Sequence, residues 1–331
     1  MRASLESLLA TGRVLVADGA TGTNYFKMGL TSGEPPEFWV TDHPDRVKSL
    51  HQQFVDAGAD IILTDTFGCN RHRLKLHKAE ARVHELASGA ARLARDVADA
   101  SGRSVVVAGS IGPTGELFEP LGAMTEAEAI DTFAEQIRGL FEGGADVAWI
   151  ETMSAPEEML AAAKAAIREG VPYVCTMSFD TAGRTMMGLL PQSLEAQFTE
   201  LERKPLAIGA NCGVGASDIL VSISEMHGFN TPIVSKGNCG IPKFEGTTIT
   251  YSGTPELMGK YAALAADAGA RIVGGCCGTS PEHLQAISQS LTSRIPGPAP
   301  TQDQIVDLIG PLTNQAPSVL ESPRRNRRER L

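Results

Sequence analysis

Cys276 and Cys277 stand side by side between glycines in the run RIVGGCCGTSP, from Arg271 to Pro281. Adjacent cysteines seldom bridge each other, because the short ring is strained. One thiol packing inward as a small hydrophobe is the plain alternative. A third cysteine, Cys212, closes another apolar run, LAIGANC. Three thiolates around one ion, with a fourth position open, describe a zinc site of the catalytic kind. Gly274, Gly275 and Gly278 permit the sharp turn that two neighbouring ligands require. A site of this charge is a poor Lewis acid but a good holder of a thiol: coordination removes the thiol proton at neutral pH and leaves the sulfur nucleophilic. The chemistry expected is alkyl transfer to a thiol by in-line displacement.

The other candidates are weaker. Cys239, in KGNCGIP, competes for a ligand role but sits in an expected turn beyond its strand. Cys69 and Cys175 read as packing residues. His77 and His84 read as surface residues on one helical face, and no H-E-x-x-H motif occurs.

These residues need a scaffold that brings them together. Eight Val/Ile/Leu-rich runs recur: VLVAD (14–18), IILTD (61–65), SVVVAGS (104–110), VAWIE (147–151), YVCTMS (173–178), LAIGANC (206–212), PIVSK (232–236) and RIVGGCC (271–277). Continuous apolar runs of this length suit parallel strands buried on both faces. Amphipathic stretches lie between them with helix signals: Thr125 three residues before Glu128, Ser154 as an N-cap before Pro156, and Gly58 as a stop. Eight strands alternating with eight helices predict an α/β fold, a (β/α)8 TIM barrel over residues 1–293. A doubly wound sheet is the alternative, but GVGASD after Cys212 is a poor phosphate loop. In a barrel the strand ends share one face, which gathers Asp18, Asp65, Ser110, Glu151, Ser178, Cys212, Lys236 and the Cys276/Cys277 pair. Helix capping is the alternative role for Asp18 and Glu151. Residues 294–331 read as a Pro-rich linker, one short docking element (IVDLIGPL) and a disordered basic tail, SPRRNRRERL.

Composition bounds the partners. The chain has 331 residues and a net charge of −10, which argues against nucleic acid or anionic lipid. No apolar run reaches the length of a membrane helix, and the N-terminus has no signal-peptide core. Six scattered cysteines without an N-glycosylation sequon suggest the cytoplasm.

In its segments DGATGT from Asp18, GADIILTDTFG from Gly58, GSIGPTG from Gly109, GGADVAWIET from Gly143, FDTAGRTMMG from Phe179, GANCGVG from Gly209 and GGCCGT from Gly274, the chain resembles the homocysteine S-methyltransferase family. The resemblance covers about 14–291. It implies a TIM barrel, zinc on Cys212, Cys276 and Cys277, homocysteine as methyl acceptor and methionine as product. It also implies that Glu151 binds the substrate ammonium, with Asp18 and the backbone around Ser178 as further contacts. The methyl donor divides the family; an onium is the donor expected here, and a separate methylcobalamin protein is the alternative. Short bacterial betaine–homocysteine methyltransferases are the best whole-chain resemblance and imply glycine betaine or a similar onium, such as dimethylsulfoniopropionate or S-methylmethionine. FDTAGRTMMG and GANCGVG look more like the cobalamin-dependent branch, which implies a separate methylcobalamin protein; this sequence has no D-x-H-x-x-G motif of its own. An onium would bind aromatic faces, and Tyr25, Phe26, Phe38, Trp39 and Phe67 all follow the first two strands. Trp39 is the first choice, with Phe67 beside it. A hydrophobic lid or a contact between subunits of a homo-oligomer is the alternative for this cluster. A non-catalytic zinc or thiol-binding module is the reading from a different class.

Overall fold

The computed structural model describes residues 2–240, 242–245 and 248–313. The parallel strands are β1 (Leu15–Val16), β2 (Ile61–Leu63), β3 (Val106–Ile111), β4 (Val147–Met153), β5 (Tyr173–Met177), β6 (Ala207–Cys212) and β7 (Ile233–Gly237). An antiparallel hairpin follows, β8 (Pro242–Glu245) and β9 (Thr248–Tyr251), and then the eighth parallel strand, β10 (Ala270–Gly275). The sheet order is β1-β10-β7-β6-β5-β4-β3-β2. A parallel bridge between Ala17 and Ile61 joins its two edges and closes a TIM barrel.

Alternation along the strands sorts side chains into two cores. Leu15, Ala17, Ile61, Leu63, Val106, Ala108, Val147, Trp149, Val174, Ala207, Val234 and Ile272 fill the barrel, and Leu5 and Leu8 of the N-terminal helix Leu5–Leu9 plug its lower end. The intervening residues, such as Val107, Ala148, Ile150 and Ile208, pack outward against the helices. The same period of two, carried past the last apolar residue, assigns Ser110, Glu151, Asn211, Lys236 and Cys276 to the interior side of β3, β4, β6, β7 and β10.

The helical belt departs from expectation in three places. Between β5 and β6 there is no α-helix, only the 3-10 turns Pro191–Ser193 and Glu195–Phe198. This crossover spends its first residues on a loop and is bounded by Pro191 and Pro205. Lys204 Nζ caps the free carbonyls of Phe198 and Thr199 at 2.5 and 2.6 Å. Ser154 is not an N-cap: Pro156 takes the first helical position of Pro156–Arg168, leaving Ala155 at the cap. His77 and His84 do not share a helix, because the chain turns at Lys78 (φ 56°) before the helix Val83–Ala100 begins. By contrast, Thr125 accepts from the Glu128 amide at 3.2 Å and starts Glu126–Glu142 as its sequence predicts.

Within 294–331, Gln302–Ile309 forms a helix that buries Ile305 and rests against the helix Ala216–Ser224, with Ser217 Oγ donating to the Gly310 carbonyl at 2.8 Å. The arginine-rich end lies outside the described residues. Among the described residues no helix is long and apolar enough to cross a membrane.

Candidate active site

At the C-terminal ends of the strands opens a cavity of ≈ 670 Å³, with Cys212, Cys276, Cys277, Glu151, Lys236 and Tyr251 on its wall. The sulfur atoms of Cys212, Cys276 and Cys277 lie within 4.8 Å of one another. Tetrahedral zinc with sulfur ligands at 2.3 Å places them about 3.8 Å apart, so the cluster fits such an ion with one side left to the cavity. Cys212 is one of few non-glycine residues at positive φ, 63°. That costly conformation turns its side chain off the strand and toward the other two. Cys276 and Cys277 follow the end of β10, where Gly278 (φ +82°) bends the chain; a Cβ there would meet Tyr251 at 2.4 Å.

Side chains of β6 and of the residue after β7 fix the cluster. Asn238 donates to the Gly213 carbonyl at 2.6 Å and accepts from the Cys277 amide at 3.0 Å, clamping the two ligand loops together. Asn211 Oδ1 accepts from the Thr152 amide (2.8 Å) and Thr176 Oγ1 (2.7 Å), and its Nδ2 donates to Thr152 Oγ1 (2.7 Å) and points at Cys276 Sγ (3.9 Å). Groups of this kind orient metal ligands and tune their charge. Hydrogen bonds from Cys212 and Cys276 pull the Cys277 thiol down, while the same contacts push Cys212 up. Cys239 is not among the converging sulfurs. It is buried, its amide donating to the Cys277 carbonyl at 2.9 Å. Cys69 and Cys175 are fully buried packing residues.

Glu151 continues the inward face of β4 and reaches the cavity, where Ser110 Oγ donates to it at 2.5 Å. Burial pushes its carboxyl up to about 7, with Lys236 opposing. Asp18 is placed differently. Its carboxylate accepts from Lys236 Nζ at 2.8 Å and from the Leu63 amide at 2.7 Å, and it lies behind the cavity wall, with Lys236 in front. Burial pulls the Lys236 ammonium down, but Asp18 and Glu151 outweigh it and hold the charge. Lys236 thus belongs to the site more directly than Asp18 does. Its position, two residues past the inward Val234, is the signal that reveals it. Ser178 does not line the cavity: its amide donates to the Met153 carbonyl and its hydroxyl faces Asp180.

The aromatic cluster divides. Trp39 is only 1% exposed, stacked on Tyr25 at 4.8 Å, edge-on to His43 and covered by Arg46 at 4.9 Å. No face of it is left for a donor, and the cation-binding role expected of it is withdrawn. The reason is local: Trp39 opens the short helix Trp39–Asp42 and packs into the outer core. Tyr25 is buried, and Phe38 packs on His77 and Arg82. Only Phe26 and Phe67 of the five reach the cavity.

Residues 15–291 match the homocysteine S-methyltransferase family, and the chain belongs to it. Methionine synthase of Mycobacterium tuberculosis is 30% identical over 301 residues, which cover 85% of this chain and 25% of that protein. The Mycobacterium leprae methionine synthase is 28% identical over 314 residues, 89% of this chain and 26% of that one. The chain thus spans about a quarter of the length of these relatives. The metallated homocysteine methyltransferase MmuM of Escherichia coli superposes with a TM-score of 0.74 at 20% identity, over 86% of this chain and 99% of that one, a likeness of fold.

Proposed function

We propose that this chain forms methionine by methylating the sulfur of homocysteine, with zinc held by Cys212, Cys276 and Cys277. The observation that carries this reading is the meeting of three sulfurs and the buried Glu151 carboxyl on one cavity wall. When bound, zinc would supply a place for the substrate thiol and remove its proton. Glu151 would take the ammonium of homocysteine, and the incoming cation favours its carboxylate form. Ser110 keeps that carboxylate aimed. Asn211 and Asn238 hold the sulfur cluster in shape, so that the acceptor sulfur faces the open side.

For the methyl donor, a methylcobalamin-bearing partner is favoured over a small onium. Trp39 is covered, which removes the strongest aromatic face. The loops after β1, β2, β3 and β5 instead expose Phe26, Phe67, Leu76, Leu117, Leu121, Met186 and Met187, apolar side chains suited to a docked macromolecule. The relatives' name, methionine synthase, agrees with the product.

The test is methionine formation by the zinc-loaded protein with homocysteine and a donor panel: glycine betaine, dimethylsulfoniopropionate, S-methylmethionine and a methylated corrinoid protein. Turnover with the corrinoid donor alone is expected. Turnover with an onium would overturn the donor assignment and leave the thiol chemistry standing. Zinc binding with no methionine from any donor would make this a thiol-binding module.

A further inference from the structure

A second cavity, ≈ 700 Å³, opens at the opposite end of the barrel, where β1, β2 and β10 begin. Arg13, Arg103, Arg271 and Arg294 line it, with Asp60 as the one carboxylate on its wall. Nothing in the thiol chemistry uses it.

Part of this arginine cluster serves the fold. Arg13 holds Asp60 through both terminal nitrogens, at 2.7 and 2.9 Å. Arg103 caps the carbonyls of Val55 and Gly58, where a helix ends. Asp60 also accepts from the Val16 amide at 2.9 Å and faces Arg103 at 3.5 Å, so its acceptor capacity is taken. Arg271 and Arg294 are different. Among the described residues each makes a single hydrogen bond, Arg271 to the Leu9 carbonyl at 3.0 Å and Arg294 to Asp267 at 3.1 Å. The Nε–H of each is buried without an acceptor and sealed from the cavity, so further bonds fall to the terminal nitrogens, of which each arginine uses one. A guanidinium offers five donors, and buried donors are rarely left unpaired. With four arginines against Asp60 and Asp267, the surroundings keep an excess of about two positive charges at neutral pH. Fold stability accounts for the bonds these arginines make but not for the donors they leave over.

We propose that this cavity binds a multiply charged anion of the phosphate class, with Arg271 and Arg294 as its principal donors. Planar guanidinium forks match phosphate oxygens in pairs, and a volume of ≈ 700 Å³ admits a ligand larger than inorganic phosphate. The site lies across the barrel from the cysteines, so occupancy would not compete with homocysteine.

The experiment is calorimetric titration of the 331-residue chain with inorganic phosphate and with pyrophosphate, at ionic strength matched by sodium chloride. Pyrophosphate is expected to bind more tightly than phosphate, and Arg271→Gln and Arg294→Gln each to weaken it about ten-fold or more, the loss expected for one charge-assisted contact. Methionine formation should be unaffected in both variants. Two substitutions guard against one that fails to fold, and circular dichroism checks each. No pyrophosphate binding at millimolar concentration, or binding that both folded variants retain, would overturn the proposal.

Discussion

On the side of β6, β7 and β10 the cavity wall is strand-end backbone, and every reactive group on it is pinned by the sheet or by an asparagine that bridges two strand ends. On the side of β1 and β2 the wall is loop, and there the aromatic residues separate: Trp39 falls into the core, while Phe26 and Phe67 stay 55% and 38% exposed. The first wall is built to hold atoms in fixed relation. The second closes one side of the cavity with partly exposed apolar side chains, a surface suited to contact more than to capture.

The sharpest way to break this comparison is to remove a sulfur. Cys276→Ala is expected to abolish methionine formation, by about a thousand-fold or more, and to lose zinc on metal analysis, while Cys239→Ala keeps both. Full zinc retention in Cys276→Ala would sink the ligand assignment. Trp39→Ala should act on stability instead: loss of a buried indole costs about 3–5 kcal/mol, read as a lower denaturation midpoint, with zinc content and donor KM unchanged in the folded fraction. A raised donor KM would return Trp39 to the site.

Glu151→Gln is expected to raise the homocysteine KM about ten- to hundred-fold while sparing zinc. Its pH dependence is the finer test. The free carboxyl titrates at about 7, and only its ionised form pairs with an ammonium, so binding should weaken as pH falls below 7 and level off above it. Methionine is the ligand to use, having no thiol proton of its own to lose, and in Glu151→Gln its weak binding should no longer vary across that range. An unchanged pH profile in the variant would leave Glu151 a structural residue. The smallest effect is expected from Phe67→Ala, a few-fold loss of turnover with a docked donor, since one partly exposed contact of this kind is worth about 1 kcal/mol. Equal turnover with free methylcobalamin in wild type and variant would place the loss in docking.

The sulfur wall was readable because its residues end apolar runs, and a barrel allows those ends only one face to share. Glu151 was readable for the same reason. Lys236 was visible as a strand end, but its pairing with Asp18 needs the register of β7 against β10 and the closure at Ala17. Asp18 was therefore expected on the cavity wall and stands behind it. Ser178 obeys the alternation too, yet its amide is taken by Met153, a cross-strand detail that no run of residue types carries. Trp39 shows the limit for loops. After β1 the chain makes three short helical pieces before Pro44, and which aromatic faces inward depends on how those pieces stack. The missing helix between β5 and β6 was hidden by a stretch whose composition is compatible with a helix; the chain instead makes the two 3-10 turns there, and Lys204 caps the carbonyls they leave free.

Asn211 connects things otherwise described separately. One amide grips the backbone next to Glu151 at Thr152 and also points at Cys276, so the place proposed for the amino group and the place proposed for the sulfur are held apart by a single side chain. A gap fixed in this way measures length. Homocysteine would span it, whereas cysteine, one methylene shorter, would reach only one end at a time. A missing methylene is worth about 1–3 kcal/mol in discrimination. Asn211→Ala should narrow the preference for homocysteine over cysteine even where it leaves each thiol able to reach the metal.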